Sequence, residues 1–290
     1  MLPQELNFTK SPYIHMQDTE DRPQRRLALV ARELARLHID IAALSEVRFA
    51  EHGSLREDGA GYTLFWSGKN KDERRLSGVG FMIKTSIARK LQILPVGHSN
   101  RIISLRLPIQ ANKFATVFSV YAPTLKAETG LKKAFYRDLH NLLQQVDSKD
   151  KPLNLGDFNA RVKRDFELWK GVQGRHGIGD CDNGRLALEF CSEHQLDITN
   201  TLFQQRNRFK ATWRHPRSKH WYLLDYVLTR QHDTRDVLHT RVMPSAEGAF
   251  ALKSPPKRKG PQTKKLQVHK LRDPRVKTIS RSCWRKDFIV

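Results

Sequence analysis

Short apolar segments of strand length alternate with amphipathic helical segments along this chain, and several of the strand segments follow one another directly. Apolar residues recur at helical spacing over residues 21–37 and 131–146. Between these helices, residues 102–107 and 114–121 are consecutive strand candidates across a short turn. Tight turns join antiparallel strands and helices join parallel ones, so this order predicts an α/β fold of the α+β type with mixed sheets.

The remaining elements follow the same alternation. A shorter helix is expected over residues 184–194. Further strand candidates are residues 39–44, 62–66, 78–83, 153–155, 196–199, 211–214 and 221–228. Residues 1–20 show no convincing period and are interpreted as an irregular segment, whereas residues 21–243 are expected to form the folded domain. Residues 244–290 contain 13 lysines and arginines against three acidic residues, and this composition is typical of a basic, disordered tail.

The charge of the chain indicates a polyanionic partner. Lysines and arginines number 52 against 30 acidic residues, which gives a formal net charge of +22 over 290 residues. Nucleic acid is the partner that such an excess favours before any other, and DNA is the nucleic acid that we expect. No apolar run approaches the ~20 residues of a membrane span, so no membrane association is expected. The sequence holds no signal for an oligomeric state.

The cysteines favour an intracellular location. Cys181, Cys191 and Cys283 are an odd number without a Cys-x-x-Cys pair, which suggests a reducing compartment. The basic run at residues 257–259 is either a nuclear-import patch or part of a solubilising tail. The nucleus is therefore the favoured location.

Polar residues at strand ends supply the candidate site. Asp157 and Asn159 directly follow the apolar strand and the turn at Gly156. A carboxylate there can take a proton from water, and a neighbouring amide can donate to an oxyanion. The alternative is an Asx turn that only closes a loop.

Three other strand ends carry polar groups that could converge with this pair. Glu46 is a hard oxygen ligand suited to magnesium, Tyr121 offers a phenol to a phosphate, and Asp225 is the one carboxylate of an apolar strand. Taken singly, Glu46 could equally be a solvated charge at the end of a strand.

Basic residues lie in two polar loops. They are Arg74 and Arg75 in the first, and Arg214, Arg217 and Lys219 beside Trp221 in the second. Both groups are candidates for nucleic-acid binding, with solvated loops as the alternative.

The ordered series of strand-end motifs resembles the endonuclease/exonuclease/phosphatase superfamily. The motifs are Ser45-Glu46, Tyr121-Ala122-Pro123, Gly156-Asp157-Phe158-Asn159 and Leu224-Asp225-Tyr226. Within the superfamily the chain is most similar to the craniofacial development protein 2 group and to endonuclease domains of RTE-type non-LTR retrotransposons. Gly78-Val79-Gly80-Phe81, Thr199-Asn200-Thr201 and residues 215–221 carry this narrower resemblance.

The resemblance implies a four-layer α/β sandwich of two mixed sheets flanked by helices, and magnesium-dependent hydrolysis of phosphodiesters. Manganese is an expected substitute for magnesium. By position, Glu46 corresponds to the metal ligand, Asp157 to the group that activates water, and Asn159 to the group that orients this water. Tyr121 corresponds to a phosphate contact, and Asp225 to the carboxylate that holds a catalytic histidine.

The chain departs from the family pattern at both ends, so we expect a sandwich that is incomplete at both termini. The first motif, an apolar strand that ends in Trp-Asn, has only Leu6-Asn7-Phe8 as a distant counterpart. The last motif, Ser/Thr-Asp-His, is missing, because no histidine after Asp225 follows an aspartate. Loss of such members costs orders of magnitude in rate. The sequence therefore predicts an endonuclease-like protein with impaired activity. A non-catalytic nucleic-acid-binding or chromatin-associated protein is the alternative, and a phosphatase of small phosphorylated substrates is the third hypothesis.

Overall fold

The computed structural model describes residues 21–74, 77–110, 113–162, 166–178, 184–215, 217–242, 250–252 and 288–289. The helices are α1 (Asp21–Arg36), α2 (Thr85–Ala88), α3 (Thr129–Gln144) and α4 (Arg185–Glu193). The strands are β1 (Ile41–Ser45), β2 (His52–Glu57), β3 (Tyr62–Ser67), β4 (Val79–Lys84), β5 (Val96–Ser99), β6 (Ile102–Gln110), β7 (Lys113–Tyr121), β8 (Lys151–Asp157), β9 (Leu196–Ile198), β10 (Trp213–Arg214), β11 (Trp221–Tyr222), β12 (Asp225–Arg230), β13 (Arg241–Val242), β14 (Phe250–Leu252) and β15 (Phe288–Ile289).

Within the described residues, these strands form two large sheets and one small hairpin. The first sheet has the order β13-β14-β15-β1-β4-β3-β2, and the second has the order β5-β6-β7-β8-β12-β9. Each sheet is mixed, because β1 is parallel to β15 and β7 is parallel to β8 while the other pairs are antiparallel. The hairpin pairs β10 with β11 and stands apart from both sheets.

Apolar side chains pack these elements into four layers. α1 packs Leu34 against the outer face of the first sheet, and the inner faces of the two sheets meet through residues such as Phe81 and Val117. The other face of the second sheet packs on α3 and α4, with Phe135 at the centre of that contact. Successive strand side chains point to opposite faces, so each central strand contributes to two of these cores. The expected four-layer sandwich of mixed sheets is confirmed.

Two strands of the structure carry too little apolar signal to be predicted, and one predicted strand is wrong in its extent. β2 and β5 lie at sheet edges, where their side chains are exposed or half-buried. The segment predicted as one strand over 221–228 is instead split into β11 and β12. The Thr212 hydroxyl accepts hydrogen bonds from the backbone N–H groups of Leu224 (2.9 Å) and Asp225 (3.3 Å). These bonds interrupt the strand between the hairpin and β12.

The terminal segments fall mostly outside the described residues. This holds for residues 1–20 and for most of 244–290, so the irregular segment and the disordered tail stay predictions. Within residues 244–290 the structure describes β14 and β15. β15 pairs with β1 in the first sheet, and β14 pairs with β15. Across the described ranges, no helix is both long and apolar enough to cross a bilayer.

Gly156 permits a close approach between β7 and β8. Its φ is +152°, and a Cβ built on it would lie 1.9 Å from the carbonyl oxygen of Val120, its partner in register. No side chain fits there unless the strands separate. Separation would also displace Asp157, which ends the same strand.

We therefore predict that Gly156→Ala destabilises the protein by more than about 2 kcal/mol through steric overlap with backbone. Gly130→Ala is the matched control, because a Cβ at Gly130 meets nothing within 4 Å and Gly130 lies in the first turn of α3. The control is expected to be neutral or to stabilise by up to about 1 kcal/mol. Urea unfolding followed by circular dichroism measures both. Equal stabilities for the two variants would refute the close approach at Gly156.

Candidate active site

The register of three neighbouring strands places three predicted site residues in one row. Tyr121 is the partner of Asp157 in the parallel pair β7–β8, and Asp157 is the partner of Asp225 in the antiparallel pair β8–β12. Directly opposed residues of paired strands lie about 4.5–5.5 Å apart. The row therefore forms a continuous polar edge on the second sheet.

Glu46 joins this edge from the first sheet. It directly follows β1 with a φ of +55°, and its Oε1 accepts a hydrogen bond of 3.0 Å from the Tyr121 hydroxyl. Its Oε2 pairs with the guanidinium of Arg48 at 2.7 Å. Tyr121 thus spans the gap between the sheets and brings the predicted metal ligand to the predicted catalytic edge.

Asn159 is held beside Asp157 by a tight turn. Its φ is +46°, a left-handed conformation that asparagine tolerates better than most residues. Its backbone N–H donates to Asp157 Oδ1 at 2.8 Å, and its Nδ2 donates to the carbonyl of Ala122 at 2.8 Å. The Asx turn therefore exists, and it orients the carboxylate at the mouth of the site.

Two residues that sequence reasoning missed fix the backbone at Asp225. Thr212 accepts the N–H of Asp225, and its hydroxyl also contacts the carboxyl group. Asn200 donates to the carbonyl oxygen of Asp225 at 3.2 Å and accepts the N–H of Val227 at 2.8 Å. Asn200 lies within a motif that carries the family resemblance, but nothing in the neighbouring sequence indicates that its side chain binds the backbone of β12. No sequence pattern indicates a role for Thr212.

Arg101 is a third missed residue and supports Tyr121. Its Nη1 donates to the Tyr121 carbonyl oxygen at 3.0 Å, and its guanidinium carbon lies 5.2 Å from the centre of the tyrosine ring. This contact fixes the ring that reaches Glu46.

Burial and mutual repulsion perturb the titratable groups of the row. Burial, and to a smaller extent the charge of Glu46, raise the pKa of Asp157 to about 6 against the lowering effect of the Asn159 N–H. Burial, and then the charge of Asp157, raise the pKa of Asp225 well above its ordinary value, although the Thr212 hydroxyl lowers it. Burial and Glu46 raise the pKa of Tyr121 to about 12, so the phenol keeps its proton at neutral pH.

The donor set fits a hard divalent cation. Glu46 and Asp157 are close enough for the charge of one to raise the pKa of the other, and all their donor atoms are carboxylate oxygens. Magnesium prefers oxygen ligands, and a cation between such groups would relieve their repulsion. Glu46 is also exposed, which leaves it open to an ion from solvent.

The predicted nucleic-acid-binding residues that the structure describes belong to segments connected in sequence to Glu46 and Asp225. Arg74 is exposed in the loop between β3 and β4, and that loop returns to Glu46 through a hydrogen bond from the Val47 N–H to the Gly78 carbonyl (3.1 Å). Arg75 lies outside the described residues.

The hairpin carries the second basic group. Arg217, Lys219 and Trp221 are exposed there, in the segment that leads directly into Asp225. Arg214 pairs with Trp221 across the hairpin through its backbone.

The described histidines after Asp225 lie away from it. His232 follows β12 at the strand end opposite to Asp225 and pairs with Asp233 at 3.3 Å, while the ring of His239 packs on Phe203. His269 lies outside the described residues. The groups that shift the pKa of Asp225, within the described chain, are Asp157 and Thr212 together with burial.

Known proteins share the sequence pattern of this chain. The model of the endonuclease/exonuclease/phosphatase family matches residues 12–246. Craniofacial development protein 2 from Bos taurus and from Tragulus javanicus is 34% and 33% identical over 227 residues. This stretch is 77% of the present chain but 36% and 38% of those relatives, so the chain spans well under half of their length.

Solved structures share the fold. The AP endonuclease LMAP from Leishmania major superposes with a TM-score of 0.52 at 16% identity, over 78% of this chain and 81% of that one. The endonuclease domain of TRAS1, a telomere-specific non-LTR retrotransposon, gives 0.50 at 14% identity, over 74% and 84% of the two chains. Sequence match and fold agree with the motifs at the strand ends. The chain belongs to the endonuclease/exonuclease/phosphatase family.

Proposed function

We propose that this chain is a magnesium-dependent phosphodiester hydrolase that acts on DNA, at a rate lowered because the sequence lacks the Asp-His motif that would give Asp225 its histidine. The observation that carries the proposal is the row of Tyr121, Asp157 and Asp225 with Glu46 bonded to it across the sheets. A hydrolase of phosphodiesters needs a base for water, donors for the phosphate oxygens and a counter-charge. The row offers a carboxylate base and a phenol donor, and its carboxylates would hold the ion that supplies the counter-charge.

Asp157 suits the role of the base. A pKa of about 6 leaves the carboxylate mostly ionised at neutral pH, yet more basic than an ordinary aspartate. Its Oδ1 is held by the Asn159 N–H, which fixes the direction from which the carboxylate can meet water. Asn159 thereby orients the base, and its own side chain is anchored on the backbone at Ala122, just after β7.

Tyr121 suits the role of a donor to phosphate. Because its pKa is about 12, the phenol keeps its proton at pH 7, and it would donate this proton's hydrogen bond to a phosphate oxygen in place of Glu46. Glu46 is the residue that would hold the magnesium ion, and Mn²⁺, which also prefers oxygen ligands, would substitute for it. The ion would supply charge neutralisation on the phosphate.

The charge around the site supports DNA as the substrate. The relatives LMAP and TRAS1 are named as endonucleases, and the chain itself carries a net charge of +22. The hairpin that carries Arg217 and Lys219 is joined to Asp225 through Thr212, so it would offer its positive charges to phosphates that flank a scissile bond. A small phosphorylated substrate would not require this basic surface.

We predict slow nicking of supercoiled plasmid in the presence of Mg²⁺, with a loss of about 10²- to 10⁴-fold in Asp157→Asn. Glu46→Gln should raise the Mg²⁺ concentration needed for half-maximal nicking, because a carboxylate ligand is removed. Asp138→Asn is the matched control, since Asp138 is an exposed aspartate on α3 paired only loosely with Arg137 (3.6 Å).

The control should nick at the wild-type rate. Nicking that persists unchanged in Asp157→Asn would assign the activity to another group or to a contaminant. Tight DNA binding by the wild type without any nicking, even at high enzyme concentration, would identify the chain as a binding protein and not a hydrolase.

We predict that Asp157→Asn is more stable than the wild type at pH 8 in the absence of divalent ions. The pKa of Asp157 is about 6 when folded and near 3.8 when unfolded, so the folded protein prefers the protonated form. This stabilisation is present below about pH 4 and is lost as the pH rises through about 6. The amide removes the cost of the buried charge, so the variant should gain about 1–3 kcal/mol at pH 8 and little at pH 4.

Urea unfolding in EDTA at the two pH values measures this difference, with Asp138→Asn expected to match the wild type at both. Addition of Mg²⁺ should then stabilise the wild type more than Asp157→Asn. A variant that is less stable than the wild type at pH 8 would contradict the charge repulsion at this site.

We predict that the hairpin supplies specific phosphate contacts. The double variant Arg217→Ala/Lys219→Ala should lower the slope of log Kd against log salt by roughly 2 on duplex DNA, about one for each phosphate interaction removed. Lys133→Ala/Arg137→Ala removes the same charge from α3 and serves as the control. Fluorescence anisotropy at several salt concentrations reports both slopes. Equal slopes would mean that total charge, not the hairpin, sets the affinity.

A further inference from the structure

Two histidines and a glutamate converge where the C-terminal turns of α3 and α4 meet. His140 lies near the end of α3, Glu193 is the last residue of α4, and His194 follows it. His194 Nε2 lies 3.0 Å from His140 Nδ1, and His140 Nδ1 lies 3.3 Å from Glu193 Oε1. One potential ligand atom from each residue lies within 4.8 Å of the others.

We propose that these three side chains form a binding site for a transition-metal ion, with zinc as the physiological candidate. Imidazole nitrogen suits zinc, copper, nickel and cobalt, and two histidines with one glutamate leave the fourth position of a tetrahedral zinc ion open to water. The site lies on the helical layer outside the second sheet, apart from the catalytic edge. It requires none of the catalytic residues.

The distances are close to those that a tetrahedral ion imposes. Zinc binds imidazole nitrogen and carboxylate oxygen at about 2.0–2.2 Å, so neighbouring ligand atoms lie about 3.3 Å apart. The separations of 3.0 and 3.3 Å at His140 already approach this value. The third separation, between the ligand atoms of His194 and Glu193, is no more than 4.8 Å, so side-chain adjustments of about 1–2 Å would bring all three to an ion.

Neighbouring rings confine the two imidazoles, and the last turns of the two described helices contain no basic residue. The His194 ring packs 4.7 Å from that of Phe190 and 4.8 Å from that of His140, so both imidazoles are confined. Neither α3 nor α4 carries a lysine or arginine in its last turn, although the C-terminal end of a helix attracts cations. A metal ion would supply that charge to both helix ends at once.

A hydrogen-bonded histidine pair without metal is the competing interpretation, and it makes different predictions. In that case one imidazole donates a hydrogen bond to the other, and substitution of either histidine by glutamine preserves much of this interaction. A metal requires lone pairs from both rings and therefore does not tolerate glutamine at either position. The two cases separate in a metal titration.

The test is a titration of the full chain with Co²⁺, followed by displacement with Zn²⁺, at pH 7.5 with Mg²⁺ in excess. Magnesium occupies the carboxylate oxygens of the catalytic edge and competes poorly for imidazole nitrogen. We expect one equivalent of Co²⁺ to bind with the visible absorption of a tetrahedral complex, and Zn²⁺ to raise the melting temperature. His140→Gln and His194→Gln should each weaken binding by more than about tenfold.

His232→Gln is the matched control, because His232 also lies beside a carboxylate, at 3.3 Å from Asp233. It should bind Co²⁺ as the wild type does. The melting temperature is compared with and without Zn²⁺ within each variant, so a change in intrinsic stability does not affect the result. Absence of the tetrahedral absorption in the wild type, or wild-type affinity in His194→Gln, would overturn the proposal.

Discussion

The pairing of β8 with β7 on one side and β12 on the other determines where the polar groups of the site lie. One register sets Tyr121 beside Asp157, and the other sets Asp157 beside Asp225. A slip of one residue would turn every side chain of β8 to the opposite face. The apolar residues of β8 and β12, such as Leu155 and Val227 between the sheets, oppose this slip because they would leave their core. Core packing therefore fixes the relative positions of Tyr121, Asp157 and Asp225.

The same arrangement opposes stability. Three carboxylates share one edge, and burial raises the pKa of two of them. The folded state would be more stable with neutral side chains at Asp157 and Asp225. The backbone nevertheless keeps its conformation there, because it is held by hydrogen bonds that do not depend on these charges, including those of Asn200 and Thr212. A divalent cation between these carboxylates would replace their repulsion with attraction.

The central elements were predictable from sequence because burial leaves a periodic signal. α1, α3, the strand that ends just before Glu46 and the strands that end in Tyr121 and Asp157 follow apolar patterns with distinct ends. Edge strands such as β2 have one side in solvent, and their pattern HGSLRE holds a single large apolar residue.

The site was predictable only in part, for a different reason. The sequence allowed the strand ends to be placed on a common edge of the sheet. Which side chains contact each other depends on which strands pair and in which register, and the sequence of one strand alone does not specify its partner. The bond from Tyr121 to Glu46 joins residues 75 positions apart in the chain. Asn200 and Thr212 act through backbone atoms of Asp225, and any small polar residue in a loop has the same local appearance. The cluster at His140 likewise depends on the packing of two helices.

Asp225 shows how a site can retain a carboxyl group when the family's histidine motif is missing from the sequence. Its described surroundings offer a hydroxyl at Thr212 and a like charge at Asp157, and no basic side chain among them contributes to the shift of its pKa. A carboxyl in such surroundings is stabilised by taking up a proton, because this removes both the desolvation cost and the repulsion. Protonated Asp225 would leave Glu46 and Asp157 as two negative charges opposite one divalent cation. The two charges would then balance those of the ion, so a cation at this edge does not require a basic partner for Asp225.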